Sequence, residues 1–218
     1  MDVSDYYDAV LPYYDASLAN RGDLPFWDSI AKQWSVNRTL ELGCGTGRVT
    51  KVLSRYARVT AVDLLMAMIR HAPKKAERVV ADLRCFAFAT SFDLIILADD
   101  PLSHVTSTSD RSRAMKLIRE HLAPHGRIVI EGLFRPHDAA GEKWEACGDA
   151  LWRVTYRYGQ RDVSTNLRSW TRDDLDQMRE SGLEIETIWG DFDRRPFDDQ
   201  SPRIVIVAHD ARTSTRPF

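Results

Sequence analysis

The stretch Glu41-Leu42-Gly43-Cys44-Gly45-Thr46-Gly47-Arg48 decides the fold. A short apolar segment, Thr39–Leu42, leads into it, and Val49, Val52, Leu53 and Tyr56 follow on one side of a helix. The unit reads as strand, glycine turn, helix. Glycines at such a turn let the backbone bend tightly and approach a nucleotide-like ligand without Cβ clashes.

Working outward, the strand ends repeat a chemistry. Arg58–Val62 reads as a second strand ending at Asp63, twenty residues after Gly43. A carboxylate there can accept both ribose hydroxyls of an adenosine. Leu64–His71 reads as helical and stops at Pro73. Arg78–Ala81 reads as a third strand ending at Asp82, where a carboxylate can accept from an adenine amino group. Phe92–Ala98 is a continuous apolar run, as expected of a strand covered on both faces of a parallel sheet. Asp110–Leu122 is an amphipathic helix closed by Pro124-His125-Gly126, and Arg127–Ile130 is the fifth strand. This alternation predicts an α/β domain with a mostly parallel sheet, whose ligands bind along the carboxyl edge of the strands.

The flanks differ. Residues 1–36 read as two helical pieces broken at Gly22-Asp23-Leu24-Pro25, rich in aromatic residues and with Phe26, Ile30 and Trp34 along one helix face. After Glu131 the rhythm becomes β: Leu151–Gly159 and Val163–Trp170 surround a polar turn, and Trp152, Val154, Tyr156 and Tyr158 share one face of the first. Thr171 caps a helix running to Arg179, with Asp174 placed for a capping box. Leu183–Trp189 and Arg203–Ala208 are two last strands. The reading is one domain over 1–210: an N-terminal helical cover (1–36), a cofactor-binding half (37–132), a substrate-side β insertion (133–170) and a closing helix and strand pair (171–210), with an aperiodic tail at 211–218.

Composition narrows the function. Lys and Arg total 30 against 32 Asp and Glu, a net charge of −2, which argues against a broad basic nucleic-acid face or polybasic membrane attachment. The first 20 residues carry four Asp and no Lys or Arg, so no cationic leader is expected, and no apolar run approaches a membrane span. Cys44, Cys85 and Cys147 are too few and scattered for a disulfide framework or a zinc site. The expectation is a cytoplasmic protein, monomer or homodimer, with no metal.

The ordered set of motifs resembles the class I S-adenosylmethionine-dependent methyltransferases, in their small-molecule branch. The glycine turn resembles their first motif, and Ala61-Val62-Asp63 their second-strand motif. Ala81-Asp82-Leu83 resembles their adenine motif, and FDLIILADDPLSHV their fourth strand and following loop. LIREHLAPHGRIVIEG and the closing helix with its strand pair complete the likeness, which covers about four-fifths of the chain. It implies a Rossmann-like sheet of seven strands, mostly parallel with an antiparallel last strand, helices on both faces, the N-terminal helical cover and the β insertion.

The resemblance also implies roles. Gly43, Cys44 and Gly45 would meet the amino-acid tail of S-adenosylmethionine through backbone, with Glu41 near its ammonium. Asp63 and Leu64 would take the ribose, Asp82 and Leu83 the adenine, and Ala98 the methionine portion. Tyr14 and Arg21 lie on the segment that folds over the cofactor in similar enzymes. Asp99, Asp100 and His104 follow the fourth strand on the methyl side and are the candidates for holding or deprotonating an acceptor. Trp144, Trp152 and Tyr156 are candidates for contacting it. The implied reaction is methyl transfer to an N or O atom of a small molecule. Met66, Met68 and Met115 are expected to be packing residues.

Two rival readings rest on the same turn. A nicotinamide-dependent oxidoreductase needs Gly or Ala where Arg48 stands. The other is a non-catalytic protein that keeps the fold to bind cofactor or a partner; the intact glycines with both Asp63 and Asp82 argue against a fully degenerate site. Asp100-Pro101-Leu102 resembles the [DN]PP[YF] motif of nucleic-acid amino-methyltransferases, but the second Pro and the stacking aromatic are missing. With the near-neutral charge, nucleic acid is not expected as a partner.

Overall fold

The computed structural model describes residues 3–34, 36–136 and 141–213. Its main sheet has seven strands in the order β3-β2-β1-β4-β5-β10-β9. These are β1 (Arg38–Leu42), β2 (Arg58–Asp63), β3 (Glu77–Val80), β4 (Phe92–Leu97), β5 (Leu122–Leu133), β9 (Leu183–Trp189) and β10 (Arg203–Asp210). Strands β1 to β5 pair in parallel, and β10 runs antiparallel to both β5 and β9. The strand order reverses between β1 and β4, which opens a crevice at their carboxyl ends.

Side-chain alternation divides the core. Leu40, Leu42, Ile95, Leu97, Ile128 and Ile130 face Met115 and Ile118 of α5 (Thr108–Glu120) and Met178 of α6 (Arg172–Glu180). Leu94, Ile96, Val129 and Val205 face Trp27 and Ile30 of α2 (Leu24–Gln33) and Val49 and Leu53 of α3 (Arg48–Leu53). The apolar β4 is therefore covered on both sides, as its unbroken pattern predicts.

The remaining strands form a separate antiparallel sheet of three, β6 (Glu142–Gly148), β7 (Leu151–Tyr158) and β8 (Arg161–Arg168). The first helix, α1 (Val3–Ser17), packs on it through Tyr6 and Val10 against Val163.

Several elements differ from the sequence reading. The β insertion has a third strand, β6, whose side chains are mostly exposed and lack apolar alternation. The helix over 64–71 shrinks to the single turn α4 (Met66–Ile69), because Leu65 is extended and Pro73 follows closely. Met66 is exposed rather than packed. Strand β5 begins at Leu122, absorbing Pro124-His125-Gly126 as an irregularity in its pairing with β4. Ala211–Thr213 of the expected tail form a short 3-10 turn, and 214–218 lie outside the described residues.

Candidate active site

The glycine turn between β1 and α3 is built for close approach. Gly43 and Gly45 have φ of +73° and +56°, in the left-handed region that favours glycine. A Cβ on Gly43 would collide with the Pro101 ring, and one on Gly45 would lie 2.9 Å from the Tyr14 hydroxyl oxygen. The backbone donors of the turn are engaged: the N–H groups of Gly43 and Cys44 go to the Val62 carbonyl at 2.8 and 2.9 Å, and that of Gly45 to Asp63 Oδ2 at 2.8 Å. What the turn offers a ligand is therefore proximity, not these three donors. Arg48 turns away and pairs with buried Asp23 at 2.5 and 2.8 Å, tying the turn to the N-terminal cover.

A cavity of about 320 Å³ opens at the carboxyl ends of β1, β2 and β4. Of the residues assigned to the cofactor in the sequence, Tyr14, Gly43, Gly45, Asp63, Leu64, Asp82 and Leu83 line it. Asp63 ends β2 with Oδ1 accepting from the Leu65 N–H at 2.9 Å, and burial raises its pKa. Asp82 faces the same cavity, but its carboxylate is held by the Arg84 side chain at 2.5–2.9 Å, which lowers its pKa.

Four of the residues assigned to the cofactor do not line this cavity. Glu41 is buried beneath the turn, accepts from the Thr50 hydroxyl at 2.5 Å and is pushed up to about 8 by burial, so it does not line the cavity. Cys44 and Ala98 are buried in the core on the α2 and α3 side of the sheet. Arg21 is drawn away from the cofactor cavity by two carboxylates: its guanidinium donates to both Asp99 and Glu131.

Beside this cavity lies a chamber of about 680 Å³, walled by α1, the loop after β4, the end of β5 and the three-stranded sheet. Tyr7, Tyr14, Asp99, His104 and Thr165 border both spaces. Asp99 has a φ of +60°, and its N–H donates to Glu131 Oε2 at 2.8 Å, so Arg21, Asp99 and Glu131 close a ring of contacts. Arg203 adds a second cation to Glu131 at 3.2 Å. His104 ends a 3-10 turn over Pro101–His104, with its Nε2 2.9 Å from the Tyr7 hydroxyl. Burial pushes the imidazole down to about 4, keeping it neutral.

Asp100 also lines the larger chamber. It is buried and accepts from the Leu133 N–H at 2.7 Å and from Trp170 Nε1–H at 3.3 Å, so both oxygens brace the loop against β5. Trp144 and Tyr156 line the larger chamber. Trp152 lines neither space; its indole N–H donates to Ser169 Oγ at 3.2 Å and its ring packs edge-on against Trp144.

Sequence reasoning did not assign Tyr7, Glu131 or Thr165. Glu131 is an acid at a strand end, the same signal that marks Asp63, and could have been found. Thr165 carries no local signal.

Residues 39–126 match a family described as "Methyltransferase domain". Over 173 residues the chain is 28% identical to the cypemycin N-terminal methyltransferase of Streptomyces sp, a match covering 75% of this chain and 68% of that protein. Over 101 residues it is 30% identical to the dTDP-4-amino-2,3,4,6-tetradeoxy-D-glucose N,N-dimethyltransferase of Saccharopolyspora spinosa, covering 44% of this chain and 41% of that one. A solved S-adenosylmethionine-dependent methyltransferase from Clostridium acetobutylicum has the same fold, with a TM-score of 0.74 at 19% identity over 93% of this chain and 98% of that one.

Proposed function

We propose that the chain is an S-adenosylmethionine-dependent methyltransferase that methylates a nitrogen of a small-molecule amine, a reading supported by the methyltransferase-domain match over 39–126 and by the shared fold. The observation that carries this reading is the shared wall. Tyr7, Tyr14, Asp99, His104 and Thr165 border both the cavity at the strand ends and the larger chamber. A donor in one and an acceptor in the other meet there, as in-line displacement requires. Two relatives, one named as an N-terminal methyltransferase and one as an N,N-dimethyltransferase of a dTDP-linked amino sugar, support nitrogen over oxygen.

When bound, S-adenosylmethionine supplies a methyl group already activated by positive sulfur. The residues present fit it: a turn that a Cβ would fill, and carboxylates at the ends of β2 and β3. Asp63 and Leu64 hold the ribose, with the remaining Asp63 lone pairs accepting its hydroxyls. Leu83 flanks the adenine, and Asp82 meets it with Arg84 alongside. Gly43 and Gly45 give the amino-acid tail room, and Tyr14 closes over it. Glu41, Cys44 and Ala98 shape the strand ends from below.

On the acceptor side the nitrogen must present a free lone pair. Among the described residues Asp99 is the one carboxylate that borders both spaces. It binds the amine N–H and takes its proton. His104 stays uncharged at neutral pH, so it places no second positive charge beside the sulfonium. The Tyr7 hydroxyl, 2.9 Å from His104 Nε2, fixes that ring at the boundary.

Calorimetry with S-adenosylmethionine, S-adenosylhomocysteine and NADH tests the cofactor. Both sulfur compounds bind and NADH does not; the reverse result would sink this reading. Asp63→Ala should weaken S-adenosylmethionine binding at least tenfold, about 1.4 kcal/mol. Incubation of a metabolite pool with labelled methyl donor, followed by mass spectrometry, identifies the atom methylated, and an O-methyl product would overturn nitrogen as the acceptor.

A further inference from the structure

The larger chamber has two acidic poles, and they are not alike. At the boundary with the cofactor cavity, Asp99 and Glu131 are held by Arg21, and Glu131 also by Arg203. On the wall formed by the three-stranded sheet stands Glu142 of β6, directly opposite Tyr156 in the β6–β7 pairing. Among the described residues it accepts from a neutral donor, the Trp144 indole N–H at 3.0 Å. The neighbouring Arg157 is engaged elsewhere, donating through two nitrogens to Asp162.

Aromatic faces surround Glu142. Tyr156 and Tyr158 lie two residues apart on one face of β7 with ring centroids 6.3 Å apart, and Tyr6 of α1 is 6.1 Å from Tyr156. Tyr13 stacks on Tyr158 at 5.6 Å and steadies it. Burial first, and then the charges of Glu142 and Asp99, raise the Tyr156 hydroxyl above its ordinary pKa, with Arg21 opposing them less. Aromatic faces beside a carboxylate that lacks an Arg or Lys partner attract an organic cation.

We propose that Glu142, Tyr156 and Tyr158 form a subsite for a second cationic group on the acceptor, so that the preferred acceptor class is an amine carrying an ammonium or guanidinium set back from the nitrogen that is methylated. The proposal rests on the chamber being the acceptor site. A neutral amine at Asp99 and a fixed cation at Glu142 would orient the molecule along the chamber, with its reacting end toward the shared wall.

The test uses the full chain loaded with S-adenosylhomocysteine, whose binding is measured first. A series of α,ω-diamines of increasing length is titrated against amino alcohols of the same lengths. The expected result is one diamine length binding at least tenfold tighter than its amino alcohol. Glu142→Gln should bring that diamine down to the amino alcohol level while S-adenosylhomocysteine affinity stays unchanged. Tyr156→Phe should keep most of the preference and Tyr156→Leu should reduce it. Equal binding of diamine and amino alcohol, no binding of either, or a preference that survives Glu142→Gln overturns the subsite. Failure of S-adenosylhomocysteine to bind at the outset would instead count against the methyltransferase reading.

Discussion

His104 sits in the loop after β4, and its charge is set by what surrounds it. Burial moves its pKa from an ordinary 6.5 to about 4. Between those values the unfolded chain binds a proton that the folded chain does not, so this residue's contribution to stability is present above pH 6.5 and is lost as pH falls toward 4. His104→Gln should therefore flatten the fall in denaturant midpoint between pH 7 and 4; an unchanged slope would place the titration elsewhere. At this scale the sequence is readable where chemistry sits at a strand end. Asp63 and Asp99 are acids following apolar strands, and their neighbourhood is fixed by local topology. Tyr7 is different: its partner His104 is 97 residues away, and no local period shows that α1 brings them together. Arg21 misleads for the same reason, since the carboxylates that capture it come from the ends of β4 and β5.

Elements were legible in proportion to how local their causes are. The start of α6 is written in four residues: the Thr171 N–H donates to Asp174 Oδ2 at 2.8 Å while the Asp174 N–H donates back to the Thr171 hydroxyl. Thr171→Ala should lower the unfolding free energy by about 1 kcal/mol, read from a denaturant midpoint at unchanged slope. Strand β4 was legible because its run Leu94–Leu97 is buried on both faces, Asp93 being the one polar position in the strand. Strand β6 was not, because backbone pairing with β7 creates it and its sequence has no apolar period to read, Glu142 being polar on the side that lines the chamber.

Across the whole molecule, ion pairs stitch the N-terminal cover to the sheet. Fully buried Asp23, just before α2, receives Arg48 from the glycine turn, lies 3.3 Å from Arg21 and accepts from the Trp27 indole at 3.1 Å. Removing it takes away the carboxylate that holds the Arg48 guanidinium, while Arg21 keeps Asp99 and Glu131, so Asp23→Ala should cost about 3–5 kcal/mol, whereas Arg55→Ala, which removes an exposed cation 3.5 Å from Asp28, should be nearly silent. Thermal or denaturant unfolding of the two variants side by side checks the contrast. The near-neutral charge fits this picture of cations paired internally. The roof over the two ligand spaces carries a consequence of its own. Tyr7 and Tyr14 are set on one helix and border both spaces. Any tilt of α1 that widened one space would reshape the other, so the two spaces are geometrically linked through a single helix.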